Sequence, residues 1–442
     1  VDEYVPLQKN DEAIVTQFTM GVLESLGLLK MDFLGLRNLT VIKECSDYIR
    51  LTDPDFDIDK IPFDDEEVFR MLAKGHTQGV FQFESAGMKS VLMRLIPITL
   101  EDLIAVISLY RPGPMASIPT YIENRHNPHK VKYKHPLLED ILDVTYGCIV
   151  YQEQVMQICR VLAGYSYGQA DLVRRAMSKK NADVMEHERE KFIYGSKTPD
   201  GKIQSVGAVA NGVSAKIADE IFDEMSSFAS YAFNKSHAAA YAYLAYQTAY
   251  LKCHYKKVYM AALLTSVLDN TDKIIEYIAE CEAMGIKLLP PDVNQSDMGF
   301  TPVDDGIRFG LLAIKNLGRG CIDEIVNERK LNGEFTGLFD FCDRMYGKDL
   351  NKRAIEGLIK SGAFDGFDYN RKQMLMGYMK IIDGIAVDKK KNMEGQLDLF
   401  GDTSVDDVEY IKLDYIDEYE EHHLLEMEKE AVGIYITGHP MG

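Results

Sequence analysis

The sequence contains no run of about 18 consecutive apolar residues, so no membrane-spanning helix and no membrane partner are expected. Its opening residues, Val1-Asp2-Glu3-Tyr4, have neither the basic nor the apolar region of a signal peptide, and no secretory leader is expected there. Seven cysteines (Cys45, Cys148, Cys159, Cys253, Cys281, Cys321 and Cys342) are scattered without a single Cys-x-x-Cys pair. That spacing excludes a disulfide framework, leaves a structural zinc site unexpected, and fits a reduced, cytoplasmic protein.

A surplus of positive charge is also missing. The formal net charge of −20 argues at first against a nucleic-acid partner. The charge is unevenly placed, however: Asp402 to Glu430 holds twelve acidic residues against two lysines, half of the whole excess. Basic islands stand elsewhere. Arg125, Lys130, Lys132 and Lys134 lie with three histidines in a stretch without an acid, and Arg174, Arg175, Lys179 and Lys180 fall within seven residues. A groove lined by such islands holds phosphates although the whole molecule is an anion; solvated basic faces are the alternative.

What remains is an ordinary globular composition, 46% hydrophobic and 27% charged, over 442 residues, enough for two to four domains. Leu28 to Phe33 alternates like a strand, and Leu36 to Ile49 reads as a helix. From about residue 60 to 285 the pattern is mostly helical, with Val155, Ile158 and Leu162, and again Ile217, Ile221, Met225 and Phe228, at helical spacing. Pro290-Pro291 closes this block, Phe300 to Leu312 has strand character, and helices resume from Cys321 to about Asp383. The expected fold class is α+β, predominantly α, with several domains.

Six segments carry candidate chemistry. On an alternating strand Lys30 and Asp32 share one face, a pairing that suits a phosphate and a Mg²⁺ ion, or an ordinary surface ion pair. Arg174, Arg175, Lys179 and Lys180 repel one another unless an anion such as a triphosphate compensates. Tyr231 to His237 precedes a helix of small residues, whose N-terminus attracts phosphate; Ser236 as its cap is the plain alternative. Ile314-Lys315-Asn316-Leu317-Gly318-Arg319-Gly320 fits the hairpin of a helix-hairpin-helix, where glycines let backbone N–H groups approach a DNA phosphate and Lys315 and Arg319 add charge. Leu358 to Phe364 reads as a degenerate second hairpin. Gln396-Leu397-Asp398-Leu399-Phe400 puts a Leu-Phe pair in a polar stretch, a liability unless a partner or the chain's own core buries it. The carboxylate-rich Asp53 to Asp59 reads as a solvated connector.

Together these residues resemble the bacterial DNA polymerase III alpha subunit, the C-family replicative polymerase. The resemblance runs in family order through Lys30-Met31-Asp32-Phe33-Leu34-Gly35-Leu36, Gly79 to Ser85, Tyr110-Arg111-Pro112-Gly113-Pro114 and Tyr151 to Met156. It continues through Arg174-Arg175-Ala176-Met177, Phe233-Asn234-Lys235-Ser236-His237 and Thr437-Gly438-His439-Pro440. It implies nucleotidyl transfer from deoxynucleoside triphosphates to a primer end with two Mg²⁺ ions. Asp32 would be a catalytic, metal-binding aspartate, and Lys30, Arg174 and Arg175, with Lys179 and Lys180, would grip the triphosphate. Lys315, Gly318, Arg319 and Gly320 would contact the DNA primer-template, Gln396 to Phe400 would bind the sliding clamp, and other replicase subunits would be partners. The implied layout is the end of a palm (1–60), fingers (61–290), a helix-hairpin-helix and DNA-binding region (291–390), and a clamp peptide with an acidic linker (391–442). In the family the other two catalytic aspartates precede the Lys30-Asp32 motif, so Asp55 and Asp57 take no catalytic role, and the chain is expected to be a piece that does not polymerise alone. A non-catalytic adaptor tethered to the clamp, and a translesion relative, are the competing readings.

Overall fold

The computed structural model describes residues 1–29, 31, 35–179, 182–229, 232–393 and 412–438. The chain divides into two compact units, Val1–Thr40 and Val41–Gly442. In the first, strands Leu7–Asn10 and Ala13–Thr16 pair antiparallel with Leu7 opposite Thr16 and Asn10 opposite Ala13. The turn needs a left-handed residue, which Asp11 supplies at φ 51°, a conformation that aspartate tolerates better than most side chains. Helix Met20–Ser25 follows. The strand expected at Leu28 to Phe33 is not found among the described residues, where Leu28, Leu29 and Met31 have no strand assignment. Leu29 and Met31 are exposed, and alternation without a neighbouring strand to pair with does not make a ladder.

The second unit is predominantly α-helical with small β elements, as expected. One apolar cluster gathers helices Glu66–Ala73, Ala86–Leu95, Leu100–Leu109 and Ile118–His126 around the long helix Lys235–His254. Ala238, Ala242, Ala245 and Ala249 recur on one face of that helix, and their small side chains let it approach Leu100–Leu109, which is buried on every side from Asp102 onward. A second cluster joins helices Gln152–Ala163, Tyr167–Lys179, Ala182–Tyr194 and Ala215–Ala229. Val155, Ile158, Leu162, Ile221 and Met225, singled out by their period, are buried there. A third packs helices Lys256–Ser266 and Thr271–Ala283 on a three-stranded sheet ordered Leu288–Leu289, Gly306–Arg308, Thr301–Val303. The last holds helices Arg319–Asn332, Leu338–Arg344, Lys352–Lys360 and Arg371–Met393. No helix among the described residues is long and apolar enough to cross a membrane.

Two charge readings are corrected by the packing. Arg125, counted in a basic island, points inward: its Nε and Nη2 donate to Asp102 at 3.2 Å each. Asp102, 1% exposed, also accepts the Ile98 and Thr99 amides in a capping box. The acidic run near the C-terminus is no open linker over its described part. Helix Glu421–Val432 lies within it, with Leu425, Met427 and Ala431 buried, and Leu413 and Val432 pack on the last cluster. The fully buried Glu428 accepts five hydrogen bonds, from Arg371 Nη1 and Nη2, the Ile436 and Thr437 amides and the Thr437 hydroxyl.

Candidate functional site

Helix Lys235–His254 begins one residue after an asparagine whose side chain caps it: Asn234 Oδ1 accepts the His237 amide at 2.8 Å. Ser236 is therefore not the cap; it lies inside the first turn, because Asn234 already has the extended backbone from which a short side chain reaches the third helical amide. The positive end of this helix holds an anion of the protein's own. Glu153 accepts the Lys235 amide at 3.0 and 3.2 Å and the Asn234 side-chain amide at 3.1 Å. Lys235 Nζ lies 3.1 Å from Glu101 Oε2 and 5.1 Å from the centre of the Tyr151 ring. His237 stacks on Tyr241 with ring centres 4.4 Å apart and meets Phe233 edge-on. The helix start is thus a joint between elements rather than an open phosphate cradle.

The arginine pair sits in the interior of helix Tyr167–Lys179, one turn after Asp171. Arg174 donates through Nε and Nη2 to Asp171 Oδ1 at 2.9 and 2.7 Å, and Arg175 Nε lies 2.7 Å from Oδ2. The Arg174 hydrogen bond, set against some desolvation and helped by both guanidinium charges, holds the Asp171 carboxyl below the usual range. One carboxylate against two guanidiniums leaves a cation in excess. Arg174 is 20% exposed while Arg175, at 65%, faces solvent.

Gln152 connects this helix to the joint. Its Oε1 accepts from Arg174 Nη1 at 3.3 Å, its Nε2 donates to the Ala232 carbonyl at 2.9 Å, and its backbone N–H donates to the Phe233 carbonyl at 3.0 Å. On the same phenylalanine, the exposed Arg111 guanidinium stacks 3.6 Å from the ring centre. Arg111 leads into Pro112-Gly113-Pro114, where Gly113 takes φ 104° that other residues rarely adopt. Tyr241 in turn packs on Phe81, beside Gln82, an exposed non-glycine residue held at φ 66°. Three sequence-distant segments, around Gln82, Arg111 and Gln152, therefore meet at Ala232 to Tyr241, and Arg174 is linked to them through Gln152. Sequence reasoning assigned no role to Arg111, Gln152, Glu153 or Asp171; the signals available were the Arg-Pro-Gly-Pro turn and an acid three and four residues before two arginines.

In the glycine hairpin, Asn316 takes the left-handed turn at φ 65° and Gly318 caps helix Arg319–Asn332. A Cβ at Gly318 would meet nothing within 4 Å, so a ligand can approach its backbone, whereas one at Gly320 would come within 3.0 Å of Asp349 Oδ2. Gly320 is itself exposed, in the first turn of that helix. Arg319 is exposed at the positive helix end, its Nη1 3.4 Å from Met298 Sδ. Lys315 is engaged: its amide donates to the Ala431 carbonyl at 2.8 Å and its Nζ to the Glu430 carbonyl at 2.9 Å. In the second hairpin Gly362, at φ 82°, leaves the room that Arg371 occupies, since a Cβ there would collide with its guanidinium.

Lys30, Asp32, Lys180 and Gln396-Leu397-Asp398-Leu399-Phe400 lie outside the described residues, as does the side chain of Lys179. The Asp53 to Asp59 segment is locally engaged. Asp57 caps the short turn Ile58–Lys60 and pairs with Lys60 at 3.0 Å, and Asp59 Oδ1 accepts from Tyr243 at 3.2 Å.

Comparison with known proteins gives this arrangement its class. Residues 38–200 match the bacterial DNA polymerase III alpha subunit finger domain, residues 285–374 a helix-hairpin-helix motif, and residues 1–35 the bacterial DNA polymerase III alpha NTPase domain. The chain belongs to the bacterial DNA polymerase III alpha family. It is 44% identical over 443 residues to DNA polymerase III subunit alpha of Borreliella burgdorferi, covering 99% of this chain and 38% of that protein. The subunit of Thermus aquaticus is 44% identical over 450 residues (99% and 35%), and that of Neisseria meningitidis serogroup B is 44% identical over 446 (100% and 38%). The chain thus spans under two fifths of the length of these relatives.

Proposed function

We propose that this chain is the part of a replicative DNA-directed DNA polymerase that grips the incoming deoxynucleoside triphosphate, the primer-template duplex and the sliding clamp. The observation that carries the reading is the Gln152 relay, which ties Arg174 to the Ala232-Phe233 backbone and so gives an arginine-rich helix a fixed address in the fold. Arg175, exposed beside it, and Arg174, preorganised by Asp171, present a guanidinium pair that suits phosphate oxygens. Lys30, Lys179 and Lys180 complete the proposed phosphate set. Asp32 is the proposed catalytic residue and Mg²⁺ ligand; magnesium would supply charge neutralisation and activation of the primer hydroxyl. Other replicase subunits and a cytoplasmic location belong to the same reading.

Titration of dATP into the purified chain by calorimetry tests it. Arg174→Ala weakens binding about tenfold or more, the cost of losing a charge-assisted hydrogen bond, and Arg174→Lys does not restore it because an ammonium cannot reproduce the planar fork. Equal affinity for all three proteins removes Arg174 from the phosphate site.

The hairpin is the proposed duplex contact, through the Gly318 backbone and Arg319. Because Lys315 Nζ is already held by the Glu430 carbonyl, the two cations separate in effect. Arg319→Ala lowers duplex affinity whatever the DNA sequence and flattens the plot of log K against log salt by roughly one unit, whereas Lys315→Ala changes the slope less. Fluorescence anisotropy over a salt series reads both, and a slope unchanged by Arg319→Ala would count against the hairpin.

A further inference from the structure

Glu67, Cys253 and His254 play no part in the sites above, yet the packing of two helices brings them together. Glu67 lies in the first turn of helix Glu66–Ala73, and Cys253 and His254 end helix Lys235–His254. One ligand-capable atom from each lies within 4.8 Å of the others, the only such group of three or more among the described residues. Their frame is rigid: Phe69 packs on Tyr246 at 5.5 Å, and the Tyr246 hydroxyl accepts the Asp65 amide at 3.2 Å and donates to the Pro62 carbonyl at 2.8 Å.

Asp65 makes the arrangement more specific. Its Oδ1 caps helix Glu66–Ala73 by accepting the Glu67 and Val68 amides, which aims Oδ2 at His254 Nε2, 2.9 Å away. A carboxylate on one imidazole nitrogen fixes the ring and leaves the other nitrogen to act as a ligand, the usual arrangement around metal-bound histidines. Neither His254 Nδ1 nor Cys253 Sγ has a hydrogen-bond partner among the described residues. Burial, reinforced by the negative charges of Asp65 and Glu67, pushes the Cys253 thiol up, so without a cation the sulfur keeps its proton. A bound dication reverses that preference. The donor set decides the class of ion: thiolate, imidazole and carboxylate suit zinc and its borderline-soft relatives, whereas magnesium and calcium take oxygen.

We propose that Glu67, Cys253 and His254 form a binding site for a thiophilic divalent cation of the zinc class, with Asp65 as the carboxylate that positions the imidazole. Binding breaks the Cys253 S–H bond, releases its proton to solvent and forms a sulfur–metal bond, with no change of oxidation state. The ion cross-links the start of helix Glu66–Ala73 to the end of Lys235–His254, the helix whose opposite end carries the Asn234–Glu153 joint.

The test is titration of the chelator-stripped, tag-free 442-residue chain with cobalt(II) under reducing conditions, reading the thiolate-to-cobalt charge-transfer band, followed by displacement with zinc. A saturable band at a single equivalent is expected. Cys253→Ser abolishes it, Cys148→Ser leaves it intact, and Asp65→Asn, which keeps a capping oxygen, weakens cobalt binding by roughly 10–100-fold. Glu67→Gln alters only an exposed side chain and keeps the proposal testable should Cys253→Ser fail to fold; it too lowers the affinity. Absence of the band from the unsubstituted chain, its survival in Cys253→Ser, or unchanged cobalt affinity in Glu67→Gln overturns the site.

Discussion

Glu428→Ala is expected to lower the stability of the helix-hairpin-helix region by about 3–5 kcal/mol, the cost of removing one partner from a buried ion pair. Arg371 is 5% exposed at its side chain and Glu428 is fully buried. Without the carboxylate, the guanidinium keeps Asp365, 2.6 Å from Nη2, and the Lys360 carbonyl, but faces a void where Glu428 stood. The Ile436 and Thr437 amides lose their acceptor at the same moment, and each unsatisfied buried group adds its own desolvation cost. Helix Glu421–Val432 should then loosen from Lys352–Lys360 and Arg371–Met393. Urea unfolding followed by hydrogen exchange at Ile436, Thr437 and the Arg371–Met393 amides measures the effect. The double substitution Arg371→Met with Glu428→Leu should cost much less than Glu428→Ala, since apolar groups of similar volume leave no buried charge unpaired. A loss below about 1 kcal/mol for Glu428→Ala would show that water reaches the pair.

Phe400→Ala is expected to cost roughly 2–4 kcal/mol of sliding-clamp affinity, the range of an interface hot spot. A short peptide gains affinity from few anchors because ordering it costs free energy, so the aromatic ring and Leu399 must supply most of the gain. In the proposed clamp contact Gln396 would contribute directional hydrogen bonds, and Asp398, proposed at the rim, should matter far less. Titration of purified clamp against the native chain, Phe400→Ala and Asp398→Ala distinguishes these roles. Equal binding by the native chain and Phe400→Ala would make Gln396 to Phe400 a coincidence of composition.

Much of the helical body was legible in the sequence. The spacing of Val155, Ile158 and Leu162 marks a face that must leave water, and the structure buries all three. The Ile314 to Gly320 pattern likewise reads as a hairpin before a helix, and the structure places Asn316 at φ 65° there with Gly318 capping Arg319–Asn332. The alternation at Leu28 to Phe33 does not appear as a strand at its described residues, Leu28, Leu29 and Met31, because a strand needs a neighbour and period two alone does not supply one.

Partners are what the sequence by itself left open. The motif order and the content of each helix determined the family resemblance, the predominantly α fold and the candidate phosphate-binding residues. Only the tertiary structure decided which charges are available. Arg125, drawn from a basic island, is held by Asp102, and Arg371 by Glu428, 57 residues away, whereas Lys315, bonded to the Glu430 carbonyl, remains exposed. Arg319 and Arg175 stay exposed. Hydrophobic periodicity is a local signal, because each side chain's burial depends on its place around its own helix. An ion pair or a relay such as Gln152 depends on where two distant segments come to rest, which chain packing alone determines.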